Sequence, residues 1–340
     1  MKVIDFESIS NVPIMYFETP QVVDFWVSGF CNMRCKYCLH SLPEGAEPRK
    51  GIIPTQLTWE DFLRVAEDMK HFPGPVNSAT FCGIGEPLTH PRLPDMIAYL
   101  KQNKIVSFVE LTTNALLLTH ETSQRLIEAG VDVLSVSIQG VNKETYKSVC
   151  GVAADPLEIA ESLAWYKAHR KPGMYVIART LDIALPGEGD ETRFHEIFGP
   201  VADQTFAAHA VRLYQDMEYS ELIPNPVDQF RGGEIIHSPW CPLPFYTLHI
   251  RPDGGIAACP LPLCPLHMGN IREVSLQEAW NSEAHLRLLL DHAECARERH
   301  AACVNCTQPD MLCRDRRPAK AMVSDIRSRL ERVTGETAGE

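Results

Sequence analysis

The stretch CNMRCKYCLH, residues 31–40, places three cysteines on one short segment. Cys31, Cys35 and Cys38 are separated by three residues and then by two. Three thiolates can hold an iron–sulfur cluster whose remaining iron keeps an open coordination position. A structural zinc site needs four ligands instead, and His40 would have to supply the fourth. The spacing favours iron only slightly, so both metals stay open at this point.

The cysteine segment follows the first of six β-branched runs that alternate with helical patterns up to about residue 215. Strands are predicted at residues 22–28, 79–82, 107–113, 133–138, 174–181 and 206–213. Helices are predicted at residues 58–69, 93–100, 119–130, 156–169 and 190–198. Consecutive parallel strands with right-handed crossovers form either an open sheet or a barrel, and both bind ligands at the carboxyl ends of the strands.

Two further motifs lie at predicted strand ends. GIGEP, residues 83–87, follows the second strand, and TTN, residues 112–114, ends the third. Because the carboxyl ends of parallel strands meet at one edge of a sheet, both motifs should lie beside the cysteine segment at that edge. The sequence therefore predicts a site built from three distant segments.

The pattern changes after about residue 215. RPDG, residues 251–254, separates predicted strands at 246–250 and 255–259 and is a hairpin signal. One helix is predicted over residues 275–290. We divide the chain into an N-terminal lead-in (1–21), a barrel (22–215), a linker (216–240), a cysteine-rich domain (241–316) and a C-terminal helix and tail (317–340).

Composition restricts the class of protein. The net charge is -12, which argues against nucleic acid as a partner. No apolar run is long enough for a membrane span, and the N-terminus lacks the pattern of a signal peptide. We therefore expect a cytoplasmic protein without a membrane partner. Its twelve cysteines then favour metal binding or chemistry over disulfides.

The cysteine motif after the first strand, with Tyr37 before its last cysteine, resembles the radical SAM superfamily, and GIGEP resembles that superfamily's Gly-Glu-Pro motif. The resemblance covers about residues 22–215. It implies an α/β fold with a partial (β/α)6 barrel and a [4Fe-4S] cluster that binds S-adenosyl-L-methionine. One electron would cleave this cofactor to a 5′-deoxyadenosyl radical, which abstracts hydrogen from a substrate carbon. An electron donor such as flavodoxin or ferredoxin is expected.

The resemblance also implies roles for individual residues. Cys31, Cys35 and Cys38 would be the cluster ligands. The expected cofactor-binding residues are Tyr37, Gly83, Gly85, Glu86, Asn114, Ser137 and Arg179. Strand-end capping is the competing explanation for Asn114 and Ser137, and a surface ion pair is the one for Arg179. Gln139 stands where many relatives carry an acidic residue, so the role of that position stays open.

The C-terminal cysteines resemble the SPASM/twitch domain of many radical SAM enzymes, over about residues 241–315. The shared pattern is a cysteine, a Pro-Asp-Gly hairpin, a second cysteine, Gly-Asn, a short helix and CxxC. It implies a second, auxiliary [4Fe-4S] cluster held by Cys241, Cys259, Cys303 and Cys306, with structural zinc as the alternative. A single auxiliary cluster is favoured over two. The sequence leaves open whether Cys264, Cys295 or Cys313 is a ligand or a hydrogen donor, and it predicts Cys82 to be a small buried core residue.

Relatives of this architecture modify either peptides or small molecules. The predicted first strand begins near residue 22, which we expect to leave no room for a leader-binding domain, so we favour a small carbohydrate-like or nucleoside-like substrate. The reaction could be dehydrogenation, epimerisation or decarboxylation. Glu110, His209, Arg212 and Tyr214 are the candidate catalytic residues, and Arg212 could bind an anionic group. The alternatives are a peptide- or protein-modifying maturase and, remotely, a non-catalytic zinc protein.

Overall fold

The computed structural model describes residues 18–46, 51–210, 229–230, 233–234, 238–261, 266–304, 306–309 and 320–335. The strands are β1 (Val22–Phe25), β2 (Ser78–Phe81), β3 (Phe108–Thr113), β4 (Val133–Ile138), β5 (Tyr175–Leu181), β6 (Gln204–Ala208), β7 (Gln229–Phe230), β8 (Gly233–Glu234), β9 (Thr247–Ile250), β10 (Gly255–Ala257) and β11 (His267–Asn270). The helices are α1 (Trp59–Asp68), α2 (Leu93–Gln102), α3 (His120–Ala129), α4 (Lys143–Cys150), α5 (Pro156–His169), α6 (Asp190–Phe198), α7 (Leu276–Trp280), α8 (Glu283–Ala293), α9 (Ala301–Val304) and α10 (Lys320–Thr334).

Among the described residues, nine strands form one sheet, in the order β11-β10-β9-β1-β2-β3-β4-β5-β6. Strands β1 to β6 pair in parallel, and helices fill each connection between them. Strand β9 pairs in parallel with β1, whereas β10 and β11 continue the sheet in antiparallel pairs. The C-terminal hairpin therefore extends the sheet of the barrel beyond its first strand.

Alternate residues of these strands face opposite sides of the sheet. Val23, Phe25 and Phe81 point outward into an apolar core and are fully buried. The neighbouring positions Asp24 and Thr80 point inward and keep partial exposure. A closed barrel fills its interior with branched apolar side chains, whereas this inner face is polar and accessible. The inner face of the partial barrel is therefore polar and partly exposed to solvent.

Local signals in the sequence explain several helix boundaries. The side chain of Thr58 accepts a hydrogen bond from the Asp61 amide and caps α1, and Thr119 caps α3 in the same way. Helix α3 ends at Gly130, whose φ of 92° is in the left-handed region that glycine adopts without strain. These caps were predicted from the sequence.

Other boundaries differ from the prediction. The helix expected over residues 275–290 is two helices, α7 and α8, because the Ser282 side chain accepts from the His285 amide and starts a new helix. The sixth strand runs from Gln204 to Ala208, and the predicted residues 211–213 lie outside the described ranges. Helix α4 and strand β11 were not predicted.

A second apolar core lies in the C-terminal part. It contains Trp240, Phe245, Leu289, Met322 and Ile326, which join the start of this part to helices α8 and α10. Within the ranges given above, no helix is both long and apolar enough to span a membrane.

Candidate active site

The cysteine segment lies between β1 and α1, and helix α4 holds its backbone. The Arg34 amide donates to the Cys150 carbonyl at 2.8 Å, and the Lys36 amide donates to the Val149 carbonyl at 2.9 Å. The Arg34 guanidinium also donates to the Cys31 carbonyl at 2.8 Å. These contacts fix the curve of the segment independently of any metal. Helix α4, absent from the predicted elements, is thus part of the support of the site.

The three thiols of this segment are reduced and half-buried. Burial raises the pKa of Cys31 to about 11 and also raises the pKa of Cys38. The pKa of Cys35 is raised first by a hydrogen bond with the Cys150 thiol and then by burial. Iron would therefore have to displace protons from all three thiols on binding. By their chemistry, three thiols on one partly enclosed loop are the soft sulfur donors that an iron–sulfur cluster uses.

The GIGEP loop approaches the residues that join β1 to the cysteine segment so closely that only glycine fits. A Cβ on Gly85 would lie 2.0 Å from the Ser28 carbonyl oxygen and 2.8 Å from that of Phe30. A Cβ on Gly83, whose φ is 117°, would lie 2.6 Å from Trp26 Cγ. The two loops therefore form one unit at the carboxyl ends of β1 and β2.

Glu86 ties this unit to β3 from a buried position. Its carboxylate accepts hydrogen bonds from Thr113 Oγ1 at 2.6 Å, from the Asn114 amide at 2.8 Å and from the Leu88 amide at 2.9 Å. Burial raises the pKa of Glu86, and these three donors lower it. The geometry makes Glu86 an anchor of the loop.

The other predicted cofactor-binding residues lie around the same mouth. Asn114 Nδ2 donates to Asn32 Oδ1 at 2.7 Å, which links the end of β3 to the cysteine segment. Ser137 and Arg179 are opposite each other in the β4–β5 register. The Tyr37 hydroxyl donates a hydrogen bond to Gln139 Oε1. Gln139 thus holds the tyrosine in place at the position where many relatives are acidic.

The predicted catalytic residues do not all come together. Glu110 is on the inner face of β3, where burial raises its pKa, Arg179 lowers it and Asp24 raises it. His209 lies beyond the edge strand β6, 45% exposed, and its Nδ1 is 2.8 Å from Asp182 Oδ2. Arg212 and Tyr214 lie outside the described residues.

All four predicted auxiliary ligands are cysteines of the C-terminal part of the chain. Cys241 and Cys306 are buried, and Cys259 and Cys303 are half-buried. The Cys241 amide donates to His292 Nδ1 at 2.9 Å. Cys295 is half-buried and adjoins the second core, while Cys264 and Cys313 fall outside the described residues.

Three inward-facing residues near Glu110 were missed by the sequence analysis. Asp24 on β1 faces His249 on β9, and Cys82 follows β2. Cys82 was expected to be a small core residue, but it is half-buried and lies outside both apolar cores, because it continues the inward side of β2. The alternation of inward and outward residues along β2 could have predicted the inward position of Cys82. The pairing of Asp24 with His249 had no local signal.

Comparison with known proteins agrees with this geometry. The family model described as the radical SAM superfamily matches residues 27–195, and the iron–sulfur cluster-binding domain SPASM matches residues 241–307. The chain is 32% identical over 300 residues to the tungsten-containing aldehyde ferredoxin oxidoreductase cofactor-modifying protein of Pyrococcus furiosus, covering 76% of this chain and 80% of that relative. The chain belongs to the radical SAM superfamily.

This radical SAM enzyme also resembles others over shorter spans. It is 31% identical over 132 residues to the GTP 3′,8-cyclase of Chlorobaculum tepidum, a match that covers 38% of this chain and 36% of the cyclase. The likeness therefore covers little more than a third of the length of the cyclase.

Two solved structures share its fold. BtrN in complex with AdoMet and 2-DOIA aligns with a TM-score of 0.54 at 16% identity, covering 84% of this chain and 92% of that one. Native anSMEcpe with bound AdoMet aligns with a TM-score of 0.56 at 13% identity, covering 93% and 97%.

The predicted fold, a partial (β/α)6 radical SAM barrel with a small cysteine-rich C-terminal domain, is thereby confirmed. The predicted cofactors are confirmed at the level of the family: S-adenosylmethionine, a SAM-binding [4Fe-4S] cluster and auxiliary iron–sulfur ligation. This outcome favours iron over zinc for the cysteine segment. The assignment of individual ligands stays a prediction.

Proposed function

We propose that this radical SAM enzyme abstracts hydrogen from a small carbohydrate-like or nucleoside-like substrate bound inside the partial barrel. Cys31, Cys35 and Cys38 would hold the cluster. Bound there with S-adenosylmethionine, it would supply the 5′-deoxyadenosyl radical. The outcome would be dehydrogenation, epimerisation or decarboxylation, with flavodoxin or ferredoxin as the electron donor.

The polar inner face of the barrel is the observation that carries this proposal. Small hydroxyl side chains and ionisable groups line it at successive strand positions: Asp24, Thr80, Glu110, Thr112, Ser137 and Arg179. A polyol or a ribose offers many hydroxyl groups, and each needs a partner once it leaves water. Such a lining would satisfy them, whereas an apolar substrate would leave the lining unpaired.

The chain's own residues would have distinct tasks around the cofactor. Gly83 and Gly85 would let the backbone approach the methionine ammonium closely, because neither carries a Cβ. Arg179 would pair with the methionine carboxylate. Glu86, buried and accepting three hydrogen bonds, would hold the loop rigid without contacting the cofactor.

Two relatives support a small substrate over a peptide. The Pyrococcus furiosus relative is named for the modification of a cofactor, and the Chlorobaculum tepidum relative for the cyclisation of GTP. Both names denote small molecules. They favour a nucleoside-like or cofactor-like substrate over a peptide for this chain.

The test is anaerobic incubation of reconstituted, reduced protein with S-adenosylmethionine, followed by chromatography and mass spectrometry for 5′-deoxyadenosine. The matched control is the variant with Cys31→Ala, Cys35→Ala and Cys38→Ala. Product formed only by the wild type supports the proposal. Sugars and nucleosides deuterated on carbon are then screened for transfer of deuterium into 5′-deoxyadenosine.

No product from protein with a reducible cluster would refute the proposed cofactor chemistry. Deuterium transfer from peptides alone would refute the proposed substrate class and favour a maturase.

A further inference from the structure

Residues 292–300 contact the backbones of three of the predicted auxiliary ligands. The Cys303 amide donates to the His300 carbonyl at 2.8 Å, and the Arg297 guanidinium donates to the Cys306 carbonyl at 3.0 Å. The third contact is made by a histidine side chain near the end of α8. One short stretch of chain therefore holds ligands from both ends of the C-terminal part.

This third contact fixes the proton of His292, a side chain that is 1% exposed. The Cys241 amide donates to His292 Nδ1 at 2.9 Å. A backbone amide can only donate, so Nδ1 must present its lone pair, and the neutral ring then carries its proton on Nε2. Burial agrees with the neutral state, because it lowers the pKa of His292 to about 4.

The proton on Nε2 of His292 lacks an acceptor. Within the described parts of the chain no atom accepts a hydrogen bond from it, and the nitrogen is buried from solvent. His285, two turns earlier on α8, differs in this respect: Nδ1 lies 2.7 Å from the Trp280 carbonyl oxygen and Nε2 lies 3.0 Å from that of Pro244. A buried donor without an acceptor is destabilising, so a group that binds beside His292 should supply one.

The predicted ligands beside His292 indicate which group this is. When bound, an iron–sulfur cluster brings sulfide and thiolate sulfurs, and hydrogen bonds to these sulfurs help to set its reduction potential. The residues present fit such a group, because a buried donor adjoins the backbone of Cys241. Ligation of iron by His292 itself does not fit, because Nε2 is protonated and the lone pair of Nδ1 already accepts from the amide.

We propose that His292 donates a hydrogen bond from Nε2 to a sulfur of the auxiliary cluster and thereby raises the reduction potential of that cluster. The inference goes beyond the proposed function: it rests on the four predicted auxiliary ligands and not on the substrate. An added electron makes the sulfurs more negative, so the hydrogen bond stabilises the reduced cluster more than the oxidised one. The buried positive charge of Arg297 beside Cys306 acts in the same direction.

The test is an anaerobic redox titration of the auxiliary cluster, followed by EPR spectroscopy. The parent protein is the full chain with Cys31→Ala, Cys35→Ala and Cys38→Ala, in which the auxiliary cluster alone contributes to the spectrum. His292→Asn keeps an oxygen acceptor for the Cys241 amide but has no donor in the place of Nε2. At the midpoint potential of the parent, we expect the ratio of reduced to oxidised cluster to fall at least about tenfold, which corresponds to about 59 mV for one electron.

His292→Gln is the matched variant, because its amide reaches the place of Nε2 with a donor but leaves the Cys241 amide without its acceptor. We expect its potential to stay close to that of the parent. A role limited to holding the Cys241 backbone would give the opposite order of the two variants. His267→Asn is the control, since it removes a histidine from an exposed position on β11 and should leave the potential unchanged.

An unchanged potential in His292→Asn overturns the proposal, and so does an equal decrease in His292→Gln. A parent without an auxiliary cluster overturns it too, since the acceptor would then be missing. Iron content and spin counts verify that each variant holds its cluster. If His292→Asn loses its iron, His292→Gln decides: a potential like that of the parent supports the donor role, and a lower potential or loss of iron overturns it. Formation of 5′-deoxyadenosine is assayed in the wild type, so failure of the proposed function is distinguishable.

Discussion

Replacing Glu86 tests whether one buried carboxylate holds the mouth of the barrel together. Glu86→Ala removes the acceptor of three donors, the Thr113 hydroxyl and the amides of Asn114 and Leu88. Glu86 is 3% exposed, so water cannot replace it without a rearrangement. Each unsatisfied donor costs about 1–3 kcal/mol, and allowing for partial relaxation we expect a loss of roughly 3–6 kcal/mol.

The measurement is anaerobic thermal unfolding of the holoenzyme together with the affinity for S-adenosylmethionine. For a chain of 340 residues the loss corresponds to a decrease of roughly 4–8 °C in Tm, because the entropy of unfolding is about 2.1 cal/mol/K per residue. The affinity should fall too, because the loop that Glu86 anchors carries Gly83 and Gly85.

Glu86→Gln is the matched variant, since it keeps the shape and one acceptor but removes the charge. Burial raises the pKa of Glu86, so the neutral side chain avoids part of the cost of a buried carboxylate. We expect Glu86→Gln to cost less than about 2 kcal/mol, as one donor loses its acceptor. A loss below about 1 kcal/mol in Glu86→Ala, or equal losses in both variants, would refute the hydrogen-bond argument.

Three further predictions concern the same region. Gly85→Ala should abolish S-adenosylmethionine binding in a dialysis assay, because the new Cβ would overlap two backbone carbonyls. The control Gly74→Ala should bind normally, since its Cβ would have a nearest contact of 3.4 Å. Binding of S-adenosylmethionine by Gly85→Ala would contradict the prediction. Burial lowers the pKa of His90, so the folded state stays neutral while the unfolded state gains a proton below about pH 6.5. The free energy of unfolding measured in urea should therefore fall by up to about 1.4 kcal/mol per pH unit below pH 6.5. If this pH dependence is the same in His90→Gln, His90 is not the group that causes it. Iron analysis should show a loss of about four irons per chain when alanine replaces Cys31, Cys35 and Cys38. Replacing Cys241, Cys259, Cys303 and Cys306 with alanine should remove a different set of about four irons. A loss of all iron in either variant would argue against two separate clusters.

The sequence predicted the barrel because its strands carry their own signals. Runs such as Val133–Ile138 are β-branched and buried, and the motifs after β1, β2 and β3 follow from the geometry of parallel strands. Helix α4 escaped prediction because its sequence, KETYKSVC, has few apolar residues to mark a helical period. The break at Ser282 was missed because apolar spacing continues on both sides of it.

Contacts within the site were harder to predict than its location. The partner of Glu86 at Thr113 requires the β2–β3 register, which no local pattern specifies. The pairing of Asp24 with His249 joins residues that are far apart in the chain and depends on β9 lying beside β1. Cys82 is different, because counting the two-residue period from Phe81 would have placed it on the inner face.

The pairing of β1 with β9 also has a consequence for synthesis on the ribosome. Translation at about 5–20 residues per second separates Phe25 from Ile250 by roughly 10–45 seconds. During that interval β1 is an open edge whose unpaired amide and carbonyl groups can recruit a strand from another nascent chain. Strand β1 is thus made long before β9 covers its second edge, and a chaperone that shields this edge would increase the yield of folded protein.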